Sequence, residues 1–214
     1  MAGLNDGWDV YGLSRRPSLL SLTGHGEIDL EDLDVIPFEL EKLLAGVDDL
    51  SLLVLNAGKL GPMAYLEDQT QDDLESLMNV NVWSNKVLVD WCLKNMPSLE
   101  QVVMVSSGAS LNGNAGWGGY SISKAALNML VKLYASEVDD VHFCSLAPGL
   151  IDTPMQDYLC GLEDQGDFPS LQRLRLARGT QEMPSPEQAG QVIWKALPSL
   201  KEFPSGSYQD IRKL

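Results

Sequence analysis

The chain is poor in basic residues and in long apolar runs, and both shortages limit its possible partners. Its 15 lysines and arginines stand against 30 acidic residues, a formal net charge of −15. A protein this acidic does not offer the basic face that nucleic acids or anionic membrane surfaces require. No apolar run approaches the roughly 18 residues of a membrane span, and the N-terminus has no charged-then-apolar signal pattern. We therefore expect a cytoplasmic protein with no nucleic acid and no membrane among its partners.

Cysteine is also scarce. Cys92, Cys144 and Cys160 are odd in number and form neither a CxxC pair nor a group with paired histidines. Disulfide and zinc chemistry are therefore poor interpretations, and we expect no metal site. The simplest hypothesis is three core thiols, with Cys160 the candidate for exposure.

The 214 residues are 44% apolar, which suits one domain with a sizeable core. Strand-like and helix-like segments alternate along the chain, and this alternation predicts an α/β fold with a parallel sheet wrapped by helices. The predicted strands cover 8–13, 25–30, 50–55, 99–105, 141–146 and 203–211. The predicted helices cover 38–44, 71–95 with an interruption near 78–81, 120–137, and 186–197 with Ser185 as N-cap and Pro186 at its first position.

The most informative residues are Ser107, Tyr120 and Lys124. A phenol with a pKa of about 10 is a poor acid–base group at neutral pH unless a nearby cation favours the phenolate. Helix positions four apart share a face, so Lys124 can supply that cation to Tyr120. Ser107, at the end of a predicted strand, would hold a substrate oxygen while Tyr120 protonates it. The Tyr-Lys pair alone would arise by chance in roughly a third of such sequences. Its context strengthens the prediction, because an apolar strand, its Ser-Ser end, a Gly-rich loop and a helix follow one another in the order that the geometry requires.

With these motifs in this order, residues from about 7 to 210 resemble the short-chain dehydrogenase/reductase family. The resemblance implies a Rossmann-like, doubly wound parallel sheet that uses NAD or NADP. The segment Asn56-Ala57-Gly58 resembles the family's Asn-Ala-Gly turn beside the adenosine ribose. The segment 79–82 resembles the helix whose asparagine, here Asn81, completes a catalytic tetrad with Ser107, Tyr120 and Lys124 by holding a water against the lysine.

The same resemblance assigns further cofactor contacts. Pro148-Gly149 matches the segment that leads to the nicotinamide carboxamide, which the Ile151 backbone and the Thr153 side chain would contact. Ser14-Arg15-Arg16 offers no carboxylate for ribose hydroxyls, and its two guanidinium groups suit a 2′-phosphate, so NADP(H) is the expected cofactor. The alternative is that both arginines only solvate a loop. Asp29-Leu30 resembles the pair around the adenine, although a solvated strand end explains it nearly as well.

The family's first strand and its Gly-rich pyrophosphate turn have no counterpart in the sequence. Residues 1–6 resemble the end of the helix that would follow them, so we predict an N-terminally truncated single domain over 1–214. The family's first strand lies between its second and fourth, and without it two strands would have unpaired edges in the middle of the protein. The alternative function is therefore a catalytically silent chain that acts as an interaction or regulatory protein.

Within the family, segments 116–117, 148–156 and 203–210 are similar to the sepiapterin reductase and benzil reductase branch. The resemblance implies a small-molecule carbonyl substrate, either a pterin side-chain ketone or a diketone, reduced by hydride from NADPH and a proton from Tyr120. Asp210 matches an aspartate that anchors the pterin, or it caps the last strand. Segment 155–179, which contains Tyr158, is expected to cover the substrate as a mobile lid. Trp117 lines the pocket or packs between loop and helix.

The helices around 81–95 and 120–137 resemble those through which family members form dimers or tetramers. A homodimer or homotetramer is the resulting expectation. The alternative is that the apolar faces of both helices serve only the core.

Overall fold

The fold is given by a computed structural model that describes Gly3, 6–163 and 168–214. The helix end expected over 1–6 lies largely outside these residues. Within them, six strands form two parallel sheets. One sheet pairs β1 (Tyr11–Ser14) with β2 (Gly24–Glu27), and the other has the order β3 (Leu52–Leu55), β4 (Gln101–Val105), β5 (His142–Ala147) and β6 (Ser207–Asp210).

Seven α-helices of the described residues surround these strands. They are α1 (Ile36–Leu43), α2 (Gln71–Met78), α3 (Ser84–Asn95), α4 (Gly118–Glu137), α5 (Pro154–Gly161), α6 (Pro169–Ala177) and α7 (Pro186–Ala196). The interruption predicted near 78–81 is a π-helical turn, Asn79–Trp83, between α2 and α3. The predicted cap of α7 is also confirmed, because Ser185 and Gln188 form a reciprocal capping box with Pro186 in the first turn. The predicted strands and helices therefore form, with ends that differ by up to four residues.

Apolar side chains cover both faces of the larger sheet. Val102 and Val103 are adjacent on β4 and fully buried, yet they belong to different apolar clusters. Successive strand residues point to opposite faces, so helices must cover both sides. Helices α1, α3 and α4 contribute to the cluster around Val102, and α7 packs against the cluster around Val103. This arrangement is the doubly wound α/β fold that the sequence predicts.

The two sheets separate at β1 and β3. Within 6–163 and 168–214, no backbone ladder joins these two strands, and a cavity of about 550 Å³ lies between them. Val54, in the middle of the apolar strand β3, is 40% exposed as a result. The unpaired strand edges expected from the sequence are therefore present.

The remaining sequence expectations concern thiols and membranes. Cys92 and Cys144 are buried, Cys160 is half-buried, and all three are free thiols. Among the residues that the structure describes, no helix is both long and apolar enough to cross a bilayer.

Candidate active site

Strand β4 and helix α4 bring the side chains of Ser107 and Tyr120 close together. Ser107 lies just beyond the carboxyl end of β4 and caps a short 3₁₀ turn, Gly108–Ser110, where its Oγ accepts from the Ala109 N–H at 3.1 Å. Tyr120 lies in the first turn of α4, and its phenol is near enough to the Ser107 side chain for Ser107 to lower the pKa of the phenol. A hydroxyl pair at this edge of a parallel sheet is placed to bind and protonate a carbonyl oxygen.

Lys124 lies one turn further along α4 on the same face. It is only 3% exposed, its Nζ donates to the Val105 carbonyl at 2.8 Å, and the Nζ is 5.9 Å from the centre of the Tyr120 ring. Burial lowers the pKa of Lys124 to about 8. The predicted trio of Ser107, Tyr120 and Lys124 therefore meets at the end of β4.

The pKa of Tyr120 moves in the direction opposite to the one expected from the sequence. Burial raises this pKa, and the nearby Ser107 side chain offsets only part of the rise. The expectation that Lys124 would bring the phenol pKa down is therefore wrong in this structure, since desolvation of the phenolate dominates. A phenol with a raised pKa remains protonated at neutral pH, which suits a proton donor.

Asn81 is fully buried in the π-helical turn and fixes the segment after the Asn-Ala-Gly turn. Its Oδ1 accepts from the Lys59 N–H at 2.7 Å, and its Nδ2 donates to the Lys59 carbonyl at 2.8 Å and to Ser123 Oγ at 2.9 Å. A Cβ placed on Gly58 would lie 3.4 Å from Lys124 Nζ and 3.5 Å from Asn81 Oδ1. The turn Asn56-Ala57-Gly58 therefore borders both polar groups, and its predicted contact with the adenosine ribose stays a prediction.

The segment after β5 lies at the same sheet edge. Gly149 has φ of +77°, a backbone conformation that favours glycine, and a Cβ there would lie 3.4 Å from Arg212 Cδ. Pro148 precedes this turn, and Ile151 is half-buried after it. Thr153 is the N-cap residue of α5, yet its side chain makes no capping hydrogen bond. Its hydroxyl is thus not committed to the helix, which fits a contact with a carboxamide.

The predicted phosphate-binding residues follow β1. Ser14 Oγ donates to the Arg16 carbonyl at 2.7 Å and is 2.8 Å from His25 Nε2. Arg15 and Arg16 are exposed, and no ion pair among the described residues involves either of them. Two guanidinium groups without a carboxylate partner fit a phosphate.

The predicted adenine pair follows β2. Leu30 is buried, and the Asp29 carboxylate accepts from the Glu31 N–H at 3.1 Å. Asp29 therefore caps a local turn. The cavity between the sheets reaches Arg15, Asp29 and the turn 56–58 together, so both sets of predicted cofactor residues lie beside one opening.

Helices α5 and α6 lie over the active-site loop. Trp117, just before α4, donates from Nε1 to Ser170 Oγ at 2.7 Å, and its ring centre is 6.1 Å from that of Tyr120. Trp117 therefore packs between loop and helix and also lies beside the phenol. Tyr158 on α5 is 48% exposed. Residues 164–167 of the predicted lid lie outside the described residues.

Asp210 forms a local ion pair. Its Oδ1 accepts from the Arg212 N–H at 3.1 Å and from Nε at 2.8 Å, and its Oδ2 lies 2.5 Å from the Arg212 Nη2. The Arg212 guanidinium lowers the pKa of this carboxyl group. The capping alternative therefore describes what Asp210 does in the structure, and a substrate would have to compete with Arg212.

Sequence reasoning missed the polar support beneath Ser107. Ser106 Oγ donates to Asn128 Oδ1 at 2.6 Å, Asn128 Nδ2 donates to Ser110 Oγ at 2.8 Å, and Ser110 Oγ donates to the Ser107 carbonyl at 2.6 Å. Asn128 lies one helical turn after Lys124. An asparagine on the buried face of α4, beside Leu127 and Val131, was the available signal.

Comparisons with known proteins agree with this geometry. A benzil reductase of Bacillus subtilis, described as (S)-benzoin forming, is 30% identical over 227 residues, covering 100% of this chain and 92% of the relative. A sepiapterin reductase of Xenopus laevis is 33% identical over 143 residues, covering 64% of this chain and 53% of the relative. The crystal structure of the KRED1-Pglu enzyme matches with a TM-score of 0.78 and 29% identity, covering 86% of this chain and 78% of that one.

The family profile described as short chain dehydrogenase matches residues 25–160. That range holds Asn81, Ser107, Tyr120 and Lys124, and it is more than half of the chain. The fold, the converging hydroxyls and the buried lysine lead to the same conclusion: this chain belongs to the short-chain dehydrogenase family of oxidoreductases.

Proposed function

We propose that this protein is an NADPH-dependent reductase of a small-molecule ketone or diketone. The proximity of the Ser107 and Tyr120 side chains, with Lys124 buried on the same helix face, is the observation that carries this proposal. Similarity to a benzil reductase and a sepiapterin reductase supports a diketone or a pterin side-chain carbonyl as the substrate class.

The proposed chemistry divides between the cofactor and the side chains. NADPH, when bound, supplies the hydride. The Ser107 hydroxyl donates a hydrogen bond that positions the substrate oxygen, and the Tyr120 phenol transfers its proton to that oxygen. The resulting phenolate is buried, and the Lys124 ammonium 5.9 Å from the ring stabilises it. Because the pKa of Lys124 is about 8, the ammonium form predominates at neutral pH. Asn81 would sustain the water relay that returns a proton to Tyr120.

The residues at this site fit such a cofactor. Lys124 would bind the nicotinamide ribose. The Ile151 backbone and the Thr153 hydroxyl would bind the carboxamide, and the guanidinium groups of Arg15 and Arg16 would bind the 2′-phosphate. The overall charge of −15 makes these local positive groups necessary for an anionic ligand.

We assign α5 and α6 to a substrate lid. Their apolar side chains form a separate cluster that packs against Trp117 and Met63 beside the active-site loop. A Cβ on Gly116 would come within 2.7 Å of the Phe168 ring, so the lid contacts the loop closely. Trp117 would meet an aromatic substrate directly. Tyr158 and Asp210 stay as proposed substrate contacts, the latter in competition with Arg212.

We also propose a homodimer or homotetramer formed through α4. Ile122, Met129 and Leu133 are 51%, 54% and 48% exposed and lie along one side of this helix. Their spacing forms an apolar stripe on the surface that a second copy could cover. Sedimentation analysis of the protein and of Met129→Glu tests this assembly.

One observation favours a second candidate function, the catalytically silent interaction protein. The sheet is divided beside the predicted cofactor residues, so an open cavity borders the place where the adenosine half would lie. NADPH titration followed by fluorescence separates the candidates. Saturable NADPH binding together with benzil-dependent or sepiapterin-dependent NADPH oxidation supports the reductase, whereas no NADPH binding supports the silent chain.

A further inference from the structure

A histidine on β2 contacts the last residue of β1, just before the two arginines that suit a phosphate. In the β1–β2 ladder, Gly12 lies opposite His25 and Ser14 lies opposite Glu27. Residues two apart on a strand share a face, so Ser14 and His25 are diagonal neighbours on one side of the sheet. The Ser14 Oγ is 2.8 Å from the His25 Nε2. This contact joins the end of β1 to the neighbouring strand through side chains.

Gly12 leaves the space that the imidazole uses. It has no side chain at the position opposite His25, and a Cβ there would already lie 3.5 Å from His25 Cδ2 and 2.7 Å from Leu22 Cδ1. Any longer side chain at this position would crowd the imidazole. The His25 ring therefore reaches along β1 to Ser14 over a residue that has no side chain.

The single proton of the Ser14 hydroxyl fixes which group donates in each hydrogen bond. The Oγ donates this proton to the Arg16 carbonyl at 2.7 Å, so it must accept from the His25 imidazole, whose Nε2 carries a proton. The neutral imidazole protonated on Nε2 and the imidazolium both meet this requirement. A continuous chain of hydrogen bonds thus runs from the His25 ring through the Ser14 hydroxyl to the Arg16 backbone, and we call it the His25–Ser14 clamp.

The clamp acts on a segment that has no regular structure of its own. Residues 15–23 form neither a strand nor a helix between β1 and β2, and the side chains of Arg15 and Arg16 are exposed. The bond from the Ser14 hydroxyl to the Arg16 carbonyl closes a short ring that restricts the backbone of Arg15 and Arg16. Long side chains lose conformational freedom when they bind a ligand, and a backbone that is already fixed reduces this loss.

We propose that His25 is a positioning residue that increases the preference of this site for NADPH over NADH. The proposal rests on the proposed function, because it requires that Arg15 and Arg16 bind the 2′-phosphate. His25 acts through Ser14: its N–H orients the hydroxyl toward the Arg16 carbonyl, and the restricted backbone limits the positions that the two guanidinium groups can take. NADH has no 2′-phosphate for these groups to bind, so its affinity does not depend on the clamp.

Fluorescence titration with NADPH and with NADH measures this preference without turnover. His25→Phe keeps a ring but has no N–H donor, whereas His25→Gln keeps a donor. We expect His25→Phe to bind NADPH at least about fivefold more weakly with NADH affinity unchanged, and His25→Gln to stay within about twofold of the unaltered protein. If His25→Phe fails to fold, Ser14→Ala removes the hydroxyl from the clamp and should give the same selective loss. Equal weakening of both nucleotides, or of neither, would overturn the proposal.

A second titration tests whether His25 acts through the arginines. Where alanine replaces both Arg15 and Arg16, no guanidinium group is left to position, so adding His25→Phe should change NADPH affinity by less than about twofold. A further selective loss would mean that the imidazole itself meets the phosphate, and would overturn the positioning role. If the unaltered protein binds NADPH no more tightly than NADH, the proposed cofactor is wrong and this inference falls with it. If it prefers NADPH and His25→Phe keeps that preference, only this inference is wrong.

Discussion

Lys124 Nζ donates a 2.8 Å hydrogen bond to the carbonyl of Val105, the last residue of β4. The bond ties the lysine to the strand that leads to Ser107, so α4 and β4 hold Ser107, Tyr120 and Lys124 as a unit. Because Lys124 is only 3% exposed, its ammonium group has lost most of its hydration, which disfavours the charged form in the folded state. The free energy of unfolding therefore depends on pH.

Lys124 should make the protein more stable as pH rises from about 8 to 10.5. The folded chain releases the Lys124 proton with a pKa of about 8, while the ordinary lysine value is 10.5. Between these values the unfolded chain binds more protons, so the free energy of unfolding increases with pH. The Lys124→Met variant avoids the cost of burying the ammonium but loses the hydrogen bond to Val105, so we expect it to be about 1–2 kcal/mol more stable at pH 7. Its free energy of unfolding should not rise between pH 8 and 10.5. Urea unfolding at several pH values measures both effects, with Lys132→Met on the same helix as control. Identical pH dependence in the three proteins would contradict the assignment.

Tyr120→Phe should lower the turnover number at least about a hundredfold and leave NADPH affinity nearly unchanged. The phenol supplies the proton, and the ring that packs beside Trp117 is retained. Steady-state NADPH oxidation with benzil and NADPH titration by fluorescence test the two parts. Tyr134→Phe on the same helix is the control. Turnover close to that of the unaltered protein would exclude Tyr120 as the proton donor.

Much of this site was predictable because its parts are local in the sequence. Tyr120 and Lys124 share one helix face, and the apolar run before Ser107 predicts a buried strand, so their meeting follows from periodicity alone. The direction of the Tyr120 pKa was not predictable, since desolvation depends on how deeply the folded chain buries the phenol. The pairs Trp117 with Ser170 and Asp210 with Arg212 depend on side-chain rotamers, which the periodicity of the sequence does not predict. Strand β1 is shorter than predicted because its ladder with β2 begins only at Tyr11.

Asn128→Leu should lower kcat about tenfold with little change in the KM for NADPH. The substitution removes the amide that bonds Ser106 and Ser110, and Ser110 in turn holds the Ser107 carbonyl. Two hydroxyls lose a partner, so we also expect a stability loss of about 2–4 kcal/mol. Asn95→Leu, at an exposed asparagine of α3, is the control. A stability loss with kcat unchanged would show that Asn128 supports only the fold.

The double substitution of Arg15 and Arg16 by alanine should raise the KM for NADPH at least about tenfold and leave the KM for NADH nearly unchanged. Both guanidinium groups are exposed and would contact only the 2′-phosphate, which NADH lacks. Lys42→Ala, which removes an exposed charge from α1, controls for the change in net charge. Equal losses with NADPH and NADH would indicate that the arginines act through general electrostatics.

The Asp210→Asn and Arg212→Gln variants distinguish the two possible roles of Asp210, an ion pair with Arg212 and a contact with the substrate. The Arg212 guanidinium lowers the pKa of Asp210, so this carboxylate contributes stability above its unfolded pKa of about 3.8, and the contribution is lost as pH falls through the lower folded value. The asparagine variant should therefore be about 1–3 kcal/mol less stable at pH 7 and should lose less further stability on acidification.

The Arg212→Gln variant removes the guanidinium partner of the Asp210 carboxylate. If Asp210 anchors a pterin, that variant should bind sepiapterin more tightly while its KM for benzil stays the same; equal changes for both substrates would leave Asp210 only its capping role.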